Sequence, residues 1–286
     1  MQKAMLRKVR LMSNAQVSYQ SQLIENKLQG VCTAQGIRYR AMQTQSVEDW
    51  VIDEHPVALV YNGLSHVVMM VTPTELEIFA VGFSLSEGII HHRNELYDLE
   101  ILENPAGTEV KMTISARAFA QLKSKKRALA GRTGCGLCGI ESLKQLDIDL
   151  PKISHSYHPN WLQIIPIALE KLPTHQPMTQ TTGGAHAAAW VTSQGDLLAA
   201  FEDVGRHNAL DKLLGFLSLN DHDVKSGFVL MTSRASYELV RKCAKLDIAL
   251  LASISAPTSL AITLAERAGL GLVSFCRGDG FVVYNG

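Results

Sequence analysis

The sequence predicts an α/β protein, with a mostly parallel sheet in its C-terminal half and a smaller α+β subdomain before it. Two observations predict this class. From Gly183 onward, short apolar segments alternate with helix-like segments, a pattern typical of parallel strands joined by right-handed crossovers. Earlier in the chain, Asn62-Gly63 separates two strand-like segments, which indicates a β-hairpin. A chain of 286 residues is long enough for one or two domains with a sizeable core.

The composition indicates a globular protein of the cytoplasm. Apolar residues make up 47% of the chain, and no window approaches the ~18 consecutive apolar residues of a membrane span. Lysine and arginine together number 27, as do aspartate and glutamate, so no overall basic field favours nucleic acid as a partner. Five cysteines are too sparse for a secreted disulfide framework, and the start of the chain lacks the apolar core of a signal peptide. The sequence therefore predicts a cytoplasmic protein without a membrane or nucleic-acid partner.

The N-terminal half is predicted to hold an extension and then a compact subdomain. Residues 1–46 are polar and rich in glutamine, and we interpret them as an extension that is ordered at most in part. In the subdomain 47–130, Thr74 precedes Glu77 by three residues, a spacing that predicts a capping box at the start of a helix. The predicted elements are the strands Val57–Tyr61 and His66–Val71, a helix stopped by Gly88, the strand Glu109–Ser115 and the helix Ala116–Leu129.

A glycine-rich loop with two cysteines, residues 131–142, follows the subdomain. Cys135 and Cys138 lie three apart among glycines, which permit backbone conformations closed to other residues and leave the sulfur atoms accessible. The basic run 123–127 and Arg132 come just before, and nearby positive charge favours the reactive thiolate. The loop is therefore predicted to be mobile and to carry sulfur chemistry. On spacing alone, half of a structural zinc site or a pair of buried thiols stays open as an alternative.

The rest of the chain is predicted to contain a connector and the larger domain. The connector, 143–182, has one predicted helix over Trp161–Leu172 and then a loop over Pro173–Thr182. The domain, 183–286, starts with a hairpin and continues with alternating helices and strands. Its predicted elements are the strands Ala187–Thr192 and Leu197–Phe201, the helix Arg206–Leu219, the strand Phe228–Thr232, the helix Ser236–Leu246, the strand Ile248–Ser253, the helix Thr258–Ala268, and the strands Leu270–Phe275 and Phe281–Tyr284.

Polar segments follow four strands of this domain, where ligands of open α/β sheets bind. Three of the segments lead into helices, whose free N–H groups favour an anion. Three arginines in these segments can contact phosphates, and two aspartates can accept hydrogen bonds from a base or a sugar. Together the segments predict a site for a phosphorylated or nucleotide-like ligand. The candidate residues are Asp203, Arg206, His207, Asn208, Ser233, Arg234, Ser255, Thr258, Ser259, Phe275, Cys276, Arg277, Gly278, Asp279 and Gly280.

Each of these features also has a structural interpretation. Ser255 or Thr258 next to Pro257 makes a good helix start without any ligand. His186 stays open between a structural role at a strand start and a role as a base or metal ligand. A zinc deaminase needs a glutamate two residues after its histidine and a cysteine pair further on. Here alanines follow His186 and the cysteine pair comes first, so the sequence predicts no metal ligands.

Six segments of the chain resemble the FdhD family, the formate dehydrogenase accessory sulfurtransferases. The most specific is Glu-Asp-Val-Gly-Arg-His-Asn-Ala-Leu-Asp at 202–211, and the resemblance extends in order over about residues 47–286. The extension before it and the segment 72–77 depart from the family pattern. The other resembling segments are 82–90, 131–139, 232–240, 255–261 and 275–280.

The resemblance implies a cytoplasmic sulfur carrier with a cytidine-deaminase-like, three-layer fold and a homodimeric assembly. It implies that an IscS-type cysteine desulfurase passes persulfide sulfur to Cys135. The sulfur would then pass to the molybdenum cofactor, bis-molybdopterin guanine dinucleotide, before that cofactor enters formate dehydrogenase. Phe275–Gly280 corresponds to the cofactor-binding segment of the family, and GDP is an expected mimic of the cofactor. Whether Cys138 carries sulfur itself or only resolves the persulfide stays open.

Two other functions compete with sulfur transfer. A thiol–disulfide oxidoreductase would use Cys135 and Cys138 as a redox pair, but such a pair usually starts a helix in a βαβ unit, whereas here it follows a predicted helix. A chaperone that only holds a nucleotide cofactor would use the two cysteines for structural zinc. Metal analysis of the purified protein separates this third function from the others.

Overall fold

The computed structural model describes residues 5–9, 28–130, 150–278 and 280–286, which form three β-sheets with helices packed against them. The described part of the chain confirms the predicted α/β class. The predicted cysteine loop, with Cys135 and Cys138, and also Asp279 lie outside the described residues. None of the described helices has the length and apolarity needed to cross a lipid bilayer.

The N-terminal half is built on a five-stranded sheet. Its strands are β1 (Met5–Val9), β4 (His55–Tyr61), β5 (Leu64–Val71), β6 (Leu96–Asn104) and β7 (Gly107–Ile114). They lie in the order β1-β6-β7-β4-β5, and every neighbouring pair is antiparallel except β4 and β7. The predicted hairpin is confirmed, because Asn62 and Gly63 connect β4 to β5 with φ angles of 47° and 81°. Two positive φ angles are typical of the turn that matches strand twist.

Two helices, α1 (Leu76–Ser86) and α2 (Ala116–Ala130), bury one apolar cluster with this sheet. The predicted stop of α1 is confirmed, since Gly88 has a φ angle of 64°. The capping box predicted at Thr74 is wrong. The residue before the helix is Glu75, which has a φ angle of 48° and makes no side-chain cap. The Thr74 hydroxyl instead accepts a hydrogen bond from Lys212 Nζ at 3.0 Å.

A separate two-stranded hairpin lies between β1 and β4 in the chain. It consists of β2 (Val31–Arg40) and β3 (Gln43–Ile52), whose side chains are exposed along almost their whole length. Gly30 and Asp53 close its base, where the Asp53 N–H donates to the Gly30 carbonyl at 2.9 Å. The strands β1 and β2 therefore lie within the segment that the sequence predicts as an extension, and this part of it is ordered.

The C-terminal half is built on a six-stranded sheet. Its strands are β8 (His186–Thr192), β9 (Leu197–Asp203), β10 (Gly227–Met231), β11 (Leu250–Ser253), β12 (Gly271–Arg277) and β13 (Gly280–Asn285). They lie in the order β13-β12-β11-β10-β8-β9. The predicted strands are confirmed in number and order, with ends shifted by at most two residues.

The prediction of a mostly parallel sheet is wrong for this domain. Only the three central strands, β10, β11 and β12, run parallel to one another. The strands β8, β9 and β13 each pair antiparallel, and short connections join β8 to β9 and β12 to β13 at the two edges of the sheet. The sheet is therefore mixed, and helices follow the strands β9, β10 and β11.

Helices cover both faces of the six-stranded sheet and produce three layers. On one face lie α5 (Arg206–Leu219), α6 (Tyr237–Lys245) and α7 (Ser259–Ala268), which share an apolar cluster with the sheet. On the other face lies α3 (Trp161–Lys171), whose Trp161 packs on Phe228 with ring centroids 5.9 Å apart. All strand residues of β10 are buried because both faces are covered.

The segment predicted as a loop after α3 is mostly helical. A 3-10 turn, Leu172–His175, leads into a short helix α4 (Pro177–Thr182). The carboxylate of Glu202 accepts the Met178 and Thr179 N–H groups, both at 2.8 Å, and thereby caps α4. A residue more than twenty positions later in the chain supplies this cap, so local sequence did not indicate the helix.

Two glycines bring the N-terminal and C-terminal halves into close contact. A Cβ atom on Gly82 of α1 would lie 1.7 Å from the Asp211 carbonyl oxygen, and one on Gly215 of α5 would lie 2.0 Å from the Ile78 carbonyl oxygen. Neither position can accept a larger residue unless the two helices separate. The approach of α1 to α5 therefore depends on the absence of side chains at these two positions.

We expect Gly82→Ala to lower the free energy of unfolding by about 3 kcal/mol, since its methyl group would force the helix pair apart. Chemical denaturation monitored by circular dichroism measures this change. Gly36→Ala is the matched control, because its Cβ would lie 3.8 Å from Val47 Cγ2 in the exposed hairpin. That control should shift stability by less than about 0.5 kcal/mol. Equal stability of the two variants would contradict the prediction.

Candidate functional site

Backbone hydrogen bonds connect the polar segments that follow the strands of the six-stranded sheet. The Ala235 N–H donates to the Ala256 carbonyl at 3.2 Å, and the Thr258 N–H donates to the Ala235 carbonyl at 2.9 Å. The next segment joins through the Phe275 N–H, which donates to the Ser255 carbonyl at 3.1 Å. The segments after β10, β11 and β12 thus form one continuous edge, which we call the loop platform (residues 232–236, 254–258 and 275–278).

Hydroxyl groups fix the conformation of the loop platform from within. Ser253 Oγ donates to the Ser233 carbonyl at 2.7 Å, and buried Ser233 Oγ donates to the Arg234 carbonyl at 3.1 Å. Thr258 Oγ1 accepts from the Ala261 N–H at 3.2 Å and caps α7, as its structural interpretation predicts. Ser259 is exposed in the first turn of that helix. These hydroxyls therefore hold the platform, and its outer surface is made by other groups.

The three predicted arginines occupy different environments. Arg234 and Arg277 are exposed on the loop platform, and Arg277 Nε donates to the Ile254 carbonyl at 3.3 Å. Arg206, at the start of α5, is half-buried, and its Nε atom has no hydrogen-bond acceptor among the described residues. A buried donor without an acceptor is unfavourable unless a ligand or water satisfies it. This orphaned Nε atom fits an anion near the start of α5.

Phe275 and Cys276 show the geometry of the predicted cofactor segment. Phe275 has a φ angle of 57°, which is rare for a bulky residue, and its ring is 40% exposed. Its backbone thereby turns an apolar ring outward at the edge of the platform. Cys276 points inward, and burial raises the pKa of its thiol to about 11. Cys276 is therefore a packing residue, while Gly278, with a φ angle of 57°, and Gly280 bound the turn between β12 and β13.

Two of the predicted ligand contacts face the protein interior. Asp203 is completely buried and accepts hydrogen bonds from Gly205 N–H at 2.9 Å and from Asn208 Nδ2 at 2.8 Å. Asn208 Nδ2 also donates to the Met70 carbonyl at 2.8 Å. The structure therefore gives Asp203 and Asn208 inward hydrogen bonds that fix the turn before α5, and neither side chain is directed at solvent.

His186 and His207 lie close to Arg206 at the same end of the sheet. Burial lowers the pKa of His186, and the positive charges of Arg206 and His207 lower it further. His186 is therefore neutral at pH 7 and would not repel a metal or attract a phosphate by charge. His207 Nε2 lies 3.9 Å from Glu238 Oε2, which places a carboxylate beside this group of basic side chains.

The cysteines within the described residues do not form a reactive site. Cys32 is exposed on the β2–β3 hairpin, and burial raises the pKa of the Cys243 thiol to about 12. The described residues include no group of three side chains that could together hold a metal ion. The predicted carrier cysteines, Cys135 and Cys138, are outside the described residues, so their roles stay predictions.

A groove of about 480 Å³ lies at the opposite ends of α5 and α6. His91, Arg93, Leu217 and Lys245 are among its lining residues, and none of the predicted site residues contributes to it. The groove is therefore separate from the loop platform.

Sequence reasoning missed the buried polar residues behind the platform. Thr72 N–H donates to Asp203 Oδ2 at 3.1 Å, and Lys212 Nζ lies 2.9 Å from the same oxygen. Both residues are completely buried, and Thr72 belongs to the other half of the chain. In the sequence, these residues could have been found from Lys212, which lies among apolar residues of α5. A buried charge at such a position requires a partner.

A family model described as the FdhD/NarQ family matches residues 52–286. The match includes the loop platform, the start of α5 and the α1–α5 contact. The chain belongs to the FdhD/NarQ family. The resemblance seen in the sequence is thereby confirmed, and the β2–β3 hairpin lies almost entirely before the region that defines the FdhD/NarQ family.

Two relatives of the FdhD/NarQ chain carry the name sulfur carrier protein FdhD. The protein from Acinetobacter baylyi is 56% identical over 257 residues, covering 90% of this chain and 94% of that protein. The protein from Chromobacterium violaceum is 54% identical over 251 residues, covering 86% of this chain and 92% of that protein.

A solved structure has the same fold as this FdhD/NarQ chain. It is a crystal structure from Desulfotalea psychrophila that is assigned to a formate dehydrogenase accessory protein. The TM-score is 0.71 at 25% sequence identity, and the similarity covers 90% of this chain and 97% of that one. The similarity therefore extends over nearly the whole of that protein.

Proposed function

We propose that this chain is a sulfur carrier for formate dehydrogenase, a sulfurtransferase that delivers persulfide sulfur to the molybdenum cofactor. Membership of the FdhD/NarQ family and the names of the two relatives support this function. The structural observation that carries the proposal is the loop platform, where three segments are hydrogen-bonded into one edge beside Arg206, Arg234 and Arg277.

The proposed sulfur acceptor and carrier is Cys135. Its thiolate attacks the outer sulfur of a persulfide on a cysteine desulfurase, so that a new S–S bond forms on Cys135. The S–S bond of the donor breaks, and the donor cysteine leaves as a thiolate, with no net gain or loss of electrons. The basic run 123–127 and Arg132 favour the thiolate of Cys135. Cys138 either carries sulfur as well or assists in releasing it.

The proposed substrate at the loop platform is the molybdenum cofactor in its bis-guanine-dinucleotide form. This molecule is long and anionic, and it carries guanine bases as well as phosphates. Exposed Arg234 and Arg277 suit its phosphates, and the orphaned Nε atom of Arg206 suits another anionic oxygen. The exposed Phe275 ring offers a surface on which a base can stack.

Several predicted contacts have indirect roles in this proposal. Asp203 and Asn208 hold the turn that presents Arg206, and Ser233 and Thr258 hold the platform itself. His207, Ser255 and Ser259 stay candidate ligand contacts, as does Asp279. The proposed partners are a cysteine desulfurase, formate dehydrogenase and a second copy of the chain, in the cytoplasm.

The nucleotide site is tested by calorimetric titration with GDP. We expect GDP to bind more tightly than ADP, because the proposed substrate presents guanine and both nucleotides carry the same phosphates. Replacing Arg277 by alanine should weaken GDP binding by about tenfold, since a hydrogen bond to a charged group contributes about 1.5 kcal/mol. Arg117→Ala is the matched control, because Arg117 is exposed on α2 and pairs with Glu95. Equal binding of GDP and ADP would contradict the proposed guanine specificity.

The carrier step is tested by mass spectrometry after incubation with a cysteine desulfurase and cysteine. The expected result is one added sulfur atom on the peptide that contains Cys135. Loss of two hydrogen atoms without added sulfur would instead indicate a disulfide and favour the oxidoreductase. Stoichiometric zinc in the purified protein would favour the chaperone with a structural metal site.

A further inference from the structure

Lys212 on α5 is completely buried at the junction of the two halves of the chain. Its ammonium group donates to the Thr72 carbonyl at 3.2 Å, to Thr74 Oγ1 at 3.0 Å and to the Glu202 carbonyl at 3.2 Å. It also forms an ion pair with Asp203 Oδ2 at 2.9 Å. Every proton of the ammonium group therefore has an acceptor, as a charge buried this deeply requires.

Asp203 connects Lys212 to the turn before α5, because its carboxylate contacts both. One carboxylate oxygen accepts from Lys212 and from the Thr72 N–H, and the other accepts from the Gly205 N–H and from Asn208. Thr72 adds a further contact, because its hydroxyl accepts from the Val204 N–H at 3.1 Å. The turn that immediately precedes Arg206 is thus held by Asp203, Asn208 and Thr72, and Lys212 contacts both Asp203 and Thr72.

We propose that Lys212 and Thr72 are positioning residues for the ligand site, because together they fix the turn Asp203–Gly205 and thereby direct Arg206. This inference rests on the proposed function, since it explains how the same anion site is held in place. Stability alone does not explain a buried ammonium group here, because well-packed apolar residues often replace buried ion pairs without loss of stability. The contacts of Lys212 with the Glu202 carbonyl and with Asp203 reach the turn that precedes Arg206.

The same helix provides a matched comparison. Asp211, the neighbour of Lys212, is also buried and pairs with buried Lys242 of α6 at 3.0 Å. This second pair also crosses to the N-terminal half, through Ser86, which donates to Asp211 Oδ1 at 2.6 Å. Among the described residues, the side chains of this pair contact Phe83, Ser86 and Glu87, which lie outside the loop platform and the turn before Arg206. Lys242→Met therefore removes a buried ammonium group without disturbing the ligand site.

The test compares GDP affinity of Lys212→Met and Lys242→Met at a temperature where circular dichroism shows both to be folded. We expect Lys212→Met to weaken GDP binding by about tenfold or more, because a displaced charged group loses its favourable geometry. Lys242→Met should bind GDP within about twofold of the wild type, with a comparable loss of thermal stability. Hydrogen exchange at the Val204 and Gly205 amides should increase in Lys212→Met only.

A second pair of variants keeps the test decisive if Lys212→Met does not fold. Thr72→Val removes the acceptor of the Val204 N–H while preserving shape, and Thr72→Ser restores the hydroxyl. We expect Thr72→Val to weaken GDP binding and Thr72→Ser to recover most of the affinity. Wild-type affinity in either Lys212→Met or Thr72→Val would overturn the positioning role alone. Failure of the wild-type protein to bind GDP would overturn the proposed nucleotide site together with this inference.

Discussion

Replacing Cys135 by alanine is expected to abolish both sulfur loading and the activation of formate dehydrogenase. The alanine variant has no thiolate at this position, so it cannot form the S–S bond that accepts sulfur from the desulfurase. The protein should still fold, because a small residue in a glycine-rich segment replaces another small residue. Sulfur loading is measured by mass spectrometry, and activation is measured as formate oxidation in cells that lack the native carrier.

Cys32→Ala is the matched control for this experiment, since Cys32 is an exposed free cysteine on the β2–β3 hairpin. It should load sulfur and activate formate dehydrogenase as the wild type does. Cys138→Ala should also lose most activation, but it should still accept sulfur if Cys138 only resolves the persulfide. Normal activation by Cys135→Ala would reject Cys135 as the carrier.

Lys242→Met is expected to lower the free energy of unfolding by about 3–5 kcal/mol, because it leaves the buried Asp211 carboxylate without its counter-charge. In the wild type, Lys242 Nζ donates to both carboxylate oxygens of Asp211 at 3.0 Å and to Ser86 Oγ at 2.8 Å. Urea denaturation at pH 7 measures the loss. The double variant Asp211→Asn/Lys242→Met removes both charges and should recover part of the stability, whereas no recovery would contradict this explanation.

The same variant should change the response of stability to acid. Burial opposes ionisation of Glu87, but Lys242 and Arg241 outweigh it and lower the pKa of Glu87 from 4.5 to about 2. A carboxyl group with a depressed pKa stabilises the folded state above pH 4.5, and this contribution is lost as the pH falls toward 2. Without Lys242, the folded and unfolded pKa values of Glu87 should be closer, so that less stability is lost over this interval. An unchanged acid profile would contradict the assignment.

Local patterns in the sequence were sufficient for most elements of the fold. The bounds of α5, Arg206–Leu219, match the prediction. The hairpin at Asn62-Gly63 was equally predictable, since few residue pairs adopt positive φ angles at two successive positions. These elements depend on interactions between residues close together in the chain.

The elements that were wrong depend on distant residues. Threonine is a residue type that often caps helices, yet the Thr74 hydroxyl accepts a hydrogen bond from Lys212. The helix α4 depends on the carboxylate of Glu202, which no local pattern could connect to it. The direction of β8 in the sheet follows from its pairing with β10, and apolar alternation does not specify that pairing.

In the candidate site, too, some features were predictable from the sequence and others were not. The position of polar segments after consecutive strands predicted that they would meet, and hydrogen bonds between Ala235, Ala256 and Thr258 confirm that they do. Side-chain direction was less predictable. Asp203 and Arg206 belong to one motif, but only the arginine has a polar atom left for a ligand, because buried partners occupy the carboxylate.

Because the base of the β2–β3 hairpin is closed, this segment is a suitable place for a deletion or for attaching a label. Gly30 and Asp53 are already joined by a hydrogen bond, so a short linker can replace everything between them without displacing the strands of the body. At the far end, Met42 in the turn is fully exposed, and an affinity tag or a dye attached there would lie on a surface outside both sheets. Such a label would allow the protein to be captured with the proposed desulfurase or cofactor while the loop platform stays chemically unmodified.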